Sequence, residues 1–139
     1  MVLKSSKKVM KTMRFTVPLY GCKVLLLYAQ DCGDADAVAG VCRRFGMDDR
    51  NELDTIRESV ETGRCDGGAT YHGFWGTNIL VVVYEQSDRK EMCNTLFHEK
   101  RHVEDNMMKM FGLEGKEAAA YIAGYLGERF TEFMSRCGF

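Results

Sequence analysis

The apolar positions of this chain change their period several times, and each change marks an element. From Phe15 to Ala29 the chain is apolar and rich in β-formers, and Val24-Leu25-Leu26-Leu27-Tyr28 predicts a buried strand. Ala35, Val38, Ala39, Cys42 and Phe45 then recur at i, i+3, i+4 and i+7, the spacing of one helix face. Asp34 is the expected cap of that helix and Gly46 its expected end. Leu53, Ile56 and Val60 predict a second, more polar helix, and Gly63 to Gly68 reads as a loop. Ala69 to Trp75 and Ile79 to Glu85 predict two strands around the turn Gly76-Thr77-Asn78. Ile79 to Tyr84 is the strongest strand signal in the chain. Asp88 followed by Glu91 has the form of a capping box, so a helix should begin at Arg89 and run to Phe111, with Gly112 as its stop. A last helix should begin between Glu114 and Glu117 and run to about Arg136. The order strand, helix, helix, hairpin, helix, helix predicts an α+β fold, with the sheet packed against the two C-terminal helices.

Composition narrows the picture only a little. The 139 residues suit one domain with one core, and 45% hydrophobic content argues against disorder. A net charge of −1 gives no general reason to expect nucleic acid or a membrane surface as partner. The charge is uneven, however: Lys4, Lys7, Lys8, Lys11 and Arg14 all precede the first acidic residue, Asp31. The expected organisation is a flexible basic arm over 1–14 and a single domain over 15–139. Such an arm can touch nucleic acid, but the simpler expectation is a solvated terminus. No apolar run approaches the ~18 residues of a membrane span. Phe15 to Gly21 is short for a secretion signal and contains Pro18. Leu19-Tyr20-Gly21-Cys22 faintly resembles a lipoprotein cleavage box, but the Tyr fits it badly and a core strand follows at once. The expectation is therefore a cytoplasmic protein. Its cysteines (22, 32, 42, 65, 93 and 137, with no C-x-x-C pair) should be reduced, and several should be ordinary core residues.

The chemistry is concentrated in His98-Glu99-Lys100-Arg101-His102, an H-E-x-x-H pattern on the first C-terminal helix. At about 100° per residue, positions 98 and 102 stand about 40° apart and one turn apart, so two imidazoles can hold one Zn²⁺. Glu99 points to a neighbouring part of the helix surface, from which it can reach a metal-bound water as a general base. Met92, Leu96, Val103, Met107 and Met110 form the stripe expected to pack on the sheet. The histidines lie roughly 80–120° from the edges of that stripe, at the margin of the core.

Catalytic zinc usually takes three protein ligands. The preferred third is Glu117, with Tyr121 one turn on as a donor to a developing oxyanion; simple packing explains Tyr121 equally well. Ala120, Gly124 and Gly127 lie beside them and would let the last helix approach the metal helix closely. Asp105, Glu104, Glu114 and His72 are the rivals. Asp105 is better suited to orient His102, and His72 to be an ordinary strand residue. Geometry sets a condition on Glu117. If the metal helix runs to Phe111, His102 lies about 13 Å from its end, and a tight hairpin would set Glu117 opposite residues near Lys109. The site closes only if that helix ends early, the connection runs extended or the helices cross steeply. The strand Ile79–Tyr84 could hold an extended peptide if it had a free edge; its continuous apolar run favours a central strand instead.

A strong strand, a short capped turn, His98-Glu99-x-x-His102 and then Glu117-Ala-x-Ala-Tyr121 resemble a compact gluzincin-type metallopeptidase. More narrowly, they resemble the small zincin-like proteins encoded by bacteria and their phages. The likeness covers about residues 78–127. It implies a zincin-like domain in which His98, His102 and Glu117 bind zinc and Glu99 is the base. It also implies a peptide or protein substrate. Two features depart from larger gluzincins: the short interval from His102 to Glu117, and the lack of room for a second domain to wall a cleft. They leave a second expectation beside the peptidase: a binding module on the same scaffold, with a structural or vestigial metal.

Overall fold

The computed structural model describes residues 9–30, 35–63, 67–74 and 76–139. The elements are β1 (Val9–Val17), β2 (Cys22–Ala29), α1 (Ala35–Arg44), α2 (Arg50–Thr62), β3 (Gly68–Phe74), β4 (Asn78–Tyr84), α3 (Arg89–Met110) and α4 (Lys116–Arg136). The expected α+β class is what the chain adopts. One four-stranded sheet has the order β1-β2-β4-β3. The β1–β2 and β3–β4 pairs are antiparallel hairpins, and β2 and β4 meet in parallel at the centre. A parallel neighbour requires a crossover, which α1 and α2 supply.

The two central strands explain their own sequences. Val24, Leu26, Tyr28, Ile79, Val81 and Val83 face the helix pair α3–α4, while Leu25, Leu27, Ala29, Leu80, Val82 and Tyr84 face α1–α2. Strands covered on both faces read as unbroken apolar runs rather than as alternation. β4 is therefore central, with both edges used, and the free edge beside α3 belongs to β3.

β1 begins earlier than the sequence reading allowed. Its ladder with β2 reaches back to Val9, so residues 9–14 belong to the sheet rather than to a free arm. Met13, Phe15 and Val17 are buried while Lys11, Arg14 and Thr16 are exposed. That alternation suits an edge strand, where exposed basic side chains also discourage pairing with another chain. The remainder of the expected arm, residues 1–8, and the expected Asp34 cap lie outside the described residues. The stretch read as β-rich from Phe15 onward is broken by a turn at Pro18 to Gly21, where Leu19 (φ 74°) and Gly21 (φ 66°) reverse the chain.

The C-terminal helices follow the sequence closely. Asp88 accepts from the Glu91 backbone N–H at 2.9 Å, and Ser87 Oγ donates to the Glu91 carboxylate at 2.8 Å, which fixes the start of α3. Met92, Leu96, Val103 and Met107 are fully buried against the sheet. Phe111 closes α3, and Gly112 at φ 61° turns the chain so that α4 runs back along it. No helix among the described residues is long and apolar enough to cross a membrane.

Candidate functional site

α3 carries His98, Glu99 and His102 on the flank that faces β3, and each of the three is placed by a different constraint. The histidines are one turn apart, exposed, with their Nε2 atoms 3.2 Å apart and their rings nearly perpendicular (81°). Two imidazole lone pairs that converge to this distance need a proton or a cation between them. Two nitrogens 3.2 Å apart, each at about 2.05 Å from one ion, subtend an angle of roughly 103° at it, close to the tetrahedral value. The spacing of the pair is thus compatible with two positions of a zinc ion.

Glu99 lies one residue round the helix, only 5% exposed, and is turned toward the sheet. Thr70 of β3 donates its hydroxyl to Glu99 Oε1 at 2.7 Å. Room for this carboxylate comes from Gly68. A Cβ there would stand 3.0 Å from Glu99 Cγ, 3.1 Å from the Val82 carbonyl oxygen and 3.3 Å from Thr95 Cγ2. The negative charge also registers on the strand: burial first, and then Glu99, push the Tyr71 phenol above its ordinary pKa. Gly68, Thr70, His72, His98, Glu99, His102 and Asn106 border one shallow groove of about 350 Å³ along the outer edge of the sheet. Gly68 and Thr70 join the site without any motif to mark them. Their signal was available, because strand alternation from Gly68 puts Gly68, Thr70 and His72 on one face.

Glu117 and Tyr121 are not part of this groove. Tyr121 packs edge-on against Tyr20, in the β1–β2 turn, with ring centroids 6.3 Å apart. α4 lies against β1, at the opposite edge of the sheet from β3. The reason is the one the spacing had raised. α3 continues unbroken to Met110 and the connection folds tightly, so α4 pairs with α3 in a close antiparallel hairpin. A Cβ on Gly127 would lie 3.7 Å from Lys100 Cε, and Ala119, Ala120 and Ala123 share a cleft with Arg101, Glu104, Asp105 and Met108. That register leaves Glu117, in the first turn of α4, toward the far end of α3 and outside the groove that the histidines border. The small residues of α4 do allow close approach, but to the side of α3 that carries Lys100 and Glu104.

The rival acids are engaged elsewhere. Glu104, 8% exposed, is paired with Lys100 and lies 3.3 Å from Arg101. Asp105 pairs with Arg101 at 3.4 Å rather than orienting His102. Glu114 sits in the exposed α3–α4 turn. Among the described residues, no three His, Cys, Asp or Glu side chains stand gathered as a finished metal cage. The structure thus offers, among the described residues, a close histidine pair with a fixed carboxylate on the same helix, and no further side chain of ligand type gathered with them. No protein-family model, no curated protein and no solved structure matches this chain.

Proposed function

We propose that this protein is a zinc-dependent hydrolase acting on peptide or amide bonds, with His98 and His102 as metal ligands and Glu99 as general base. The observation that carries the reading is the 3.2 Å approach of the two Nε2 atoms, directly beside a carboxylate that Thr70 holds in place. Zinc bound there would polarise a carbonyl and bring the pKa of a bound water toward neutrality. Thr70 holds one carboxylate oxygen of Glu99, and the other would take a proton from water and return it to a leaving amine. Its near-complete burial fixes its direction, which positioned proton transfer requires. The groove runs along β3, which pairs only with β4 among the described strands, so its outer backbone groups can receive an extended peptide as an added strand.

The test is bound metal in purified, untagged protein, followed by turnover of a mixed peptide library. One zinc per chain, lost in His98→Ala, is expected. Glu99→Gln should keep the zinc and abolish cleavage. Equal cleavage by Glu99→Gln and wild type would remove Glu99 from its role.

A second reading has its own support: the third ligand is not in place, and the groove is shallow. On that reading the same scaffold is a binding module whose metal stabilises the fold. Thermal melting with and without chelator separates the two, because a large loss of stability without any peptidase activity belongs to the binding module.

A further inference from the structure

The chain has three histidines, and all three border the one groove between β3 and α3. We infer that His72, on the edge strand, is the third protein ligand of the metal held by His98 and His102; this rests on the metal-site reading above.

The placement follows from the two contacts already described. Gly68 and Thr70 face Glu99 on α3, and Tyr71, between Thr70 and His72, packs with the opposite core. By the two-residue period of a strand, His72 emerges on the same face as Thr70. Two strand residues advance about 6.7 Å, the rise of between four and five helical residues. Moving that far along α3 from Glu99 reaches the level of Val103 and Glu104, which His102 adjoins. His72 therefore stands across the groove at the His102 end of the pair.

The donor chemistry agrees. Of the described side chains bordering the groove, the only ones of zinc-ligand type besides the pair are Glu99 and His72, and Glu99 is buried, held by Thr70 and assigned above to the role of base. The His72 imidazole is exposed and makes no hydrogen bond or ion pair with a described residue, so its torsions are free to respond to an ion. The ladder shifts register between His72 and Phe74, so the regular pairing of β3 ends at this histidine. The ring is not yet gathered with the other two. The metal is thus expected to recruit it, drawing the edge strand onto α3. The ligand set is then three imidazoles from two elements, a set that leaves a fourth position for water.

The test uses the full chain and Zn²⁺ alone. Imidazole ¹⁵N spectra of the wild type should show three histidines, and one equivalent of zinc should move all three. Zn²⁺ affinity, measured by competition with a chromophoric chelator, should fall by about a hundredfold or more in His72→Ala. Loss of a ligand should cost at least what loss of an outer-sphere partner does, tenfold to a hundredfold. His72→Thr, which suits a strand, should behave alike, and Glu117→Ala should bind as the wild type does. Zinc that moves only two imidazoles, or binds His72→Ala and His72→Thr as tightly as wild type, overturns the His72 assignment while leaving the pair intact. A wild type that takes up no zinc overturns the pair and His72 together.

Discussion

Replacing Thr70 with Val tests whether Glu99 is held as a buried carboxylate. Val keeps the shape of Thr and removes only the hydroxyl. The carboxylate is 5% exposed, and the Thr70 hydroxyl at 2.7 Å is the one donor it meets among the described residues. A hydrogen bond to a charged group contributes about 1.5–3 kcal/mol, and a buried acceptor that loses its donor also bears its desolvation. Thr70→Val should therefore cost about 2 kcal/mol, or roughly 6 °C in Tm for a domain of this size. Thr70→Ser keeps the hydroxyl and loses one methyl, so its cost should stay below about 1 kcal/mol. The assay is urea unfolding of metal-free protein at neutral pH, followed by circular dichroism. A cycle with Glu99→Gln isolates the charge: in that background the Thr70→Val cost should fall to about 1 kcal/mol, the worth of a neutral hydrogen bond. Two results would refute the reasoning: Thr70→Val within about 0.5 kcal/mol of wild type, or Thr70→Ser as damaging as Thr70→Val.

Gly68→Ala should destabilise by roughly 1–3 kcal/mol, because the added Cβ meets the Val82 carbonyl oxygen, which cannot rotate away; a wild-type urea midpoint would show that the strand yields. Asp88→Ala should cost about 1 kcal/mol through loss of the α3 cap, read as a lower melting temperature with unchanged zinc content. Burial pushes the Cys22 thiol from 9.0 up to about 11 and the Cys42 thiol up to about 12. The folded chain keeps these protons where the unfolded chain has lost them, so this stability is present below pH 9 and declines above it. The decline at pH 10 should be roughly 1 kcal/mol per thiol; in reducing buffer, a Cys22→Ala/Cys42→Ala variant should lose less stability than wild type between pH 8 and pH 10. Native alkylation at neutral pH should reach exposed Cys93 well before Cys22 or Cys42, as peptide mapping would show.

What could be read from the sequence was what is local. α3 was visible from end to end because its cap, its apolar period and its stop all lie within the helix itself. β2 and β4 were visible because strands covered on both faces carry unbroken apolar runs. The start of β1 is not legible because Lys11 and Arg14 continue the basic series of Lys4, Lys7 and Lys8, and at an edge strand and in a solvated terminus such residues look the same until the pairing partner is known. The same distinction explains the peptide edge: a run such as Ile79–Tyr84 announces a strand, but only the sheet order says that its neighbour β3 holds the free side.

The site divides along the same line. His98 and His102 converge because 3.6 residues per turn fixes an i, i+4 pair, so nothing outside the helix is needed to place them. A third ligand depends on the register between two elements, and that register is set by where α3 stops and how tightly the turn folds. Glu117 satisfied a motif in one dimension, yet α3 runs about 12 Å beyond His102, and the hairpin then carries Glu117 to the flank occupied by Tyr20 and Tyr121. His72, thirty residues from His102 in sequence, meets the site because β3 packs against α3 through Gly68 and Thr70. These two small residues are what let the strand come close enough for Glu99 to be buried beneath it. The same close approach brings the groove, the edge strand and the histidine pair together, so a bulkier residue at 68 should disturb zinc affinity as well as stability. Gly68→Ala that lowers the melting temperature and leaves Zn²⁺ affinity untouched would separate the strand from the metal site and count against the link between them.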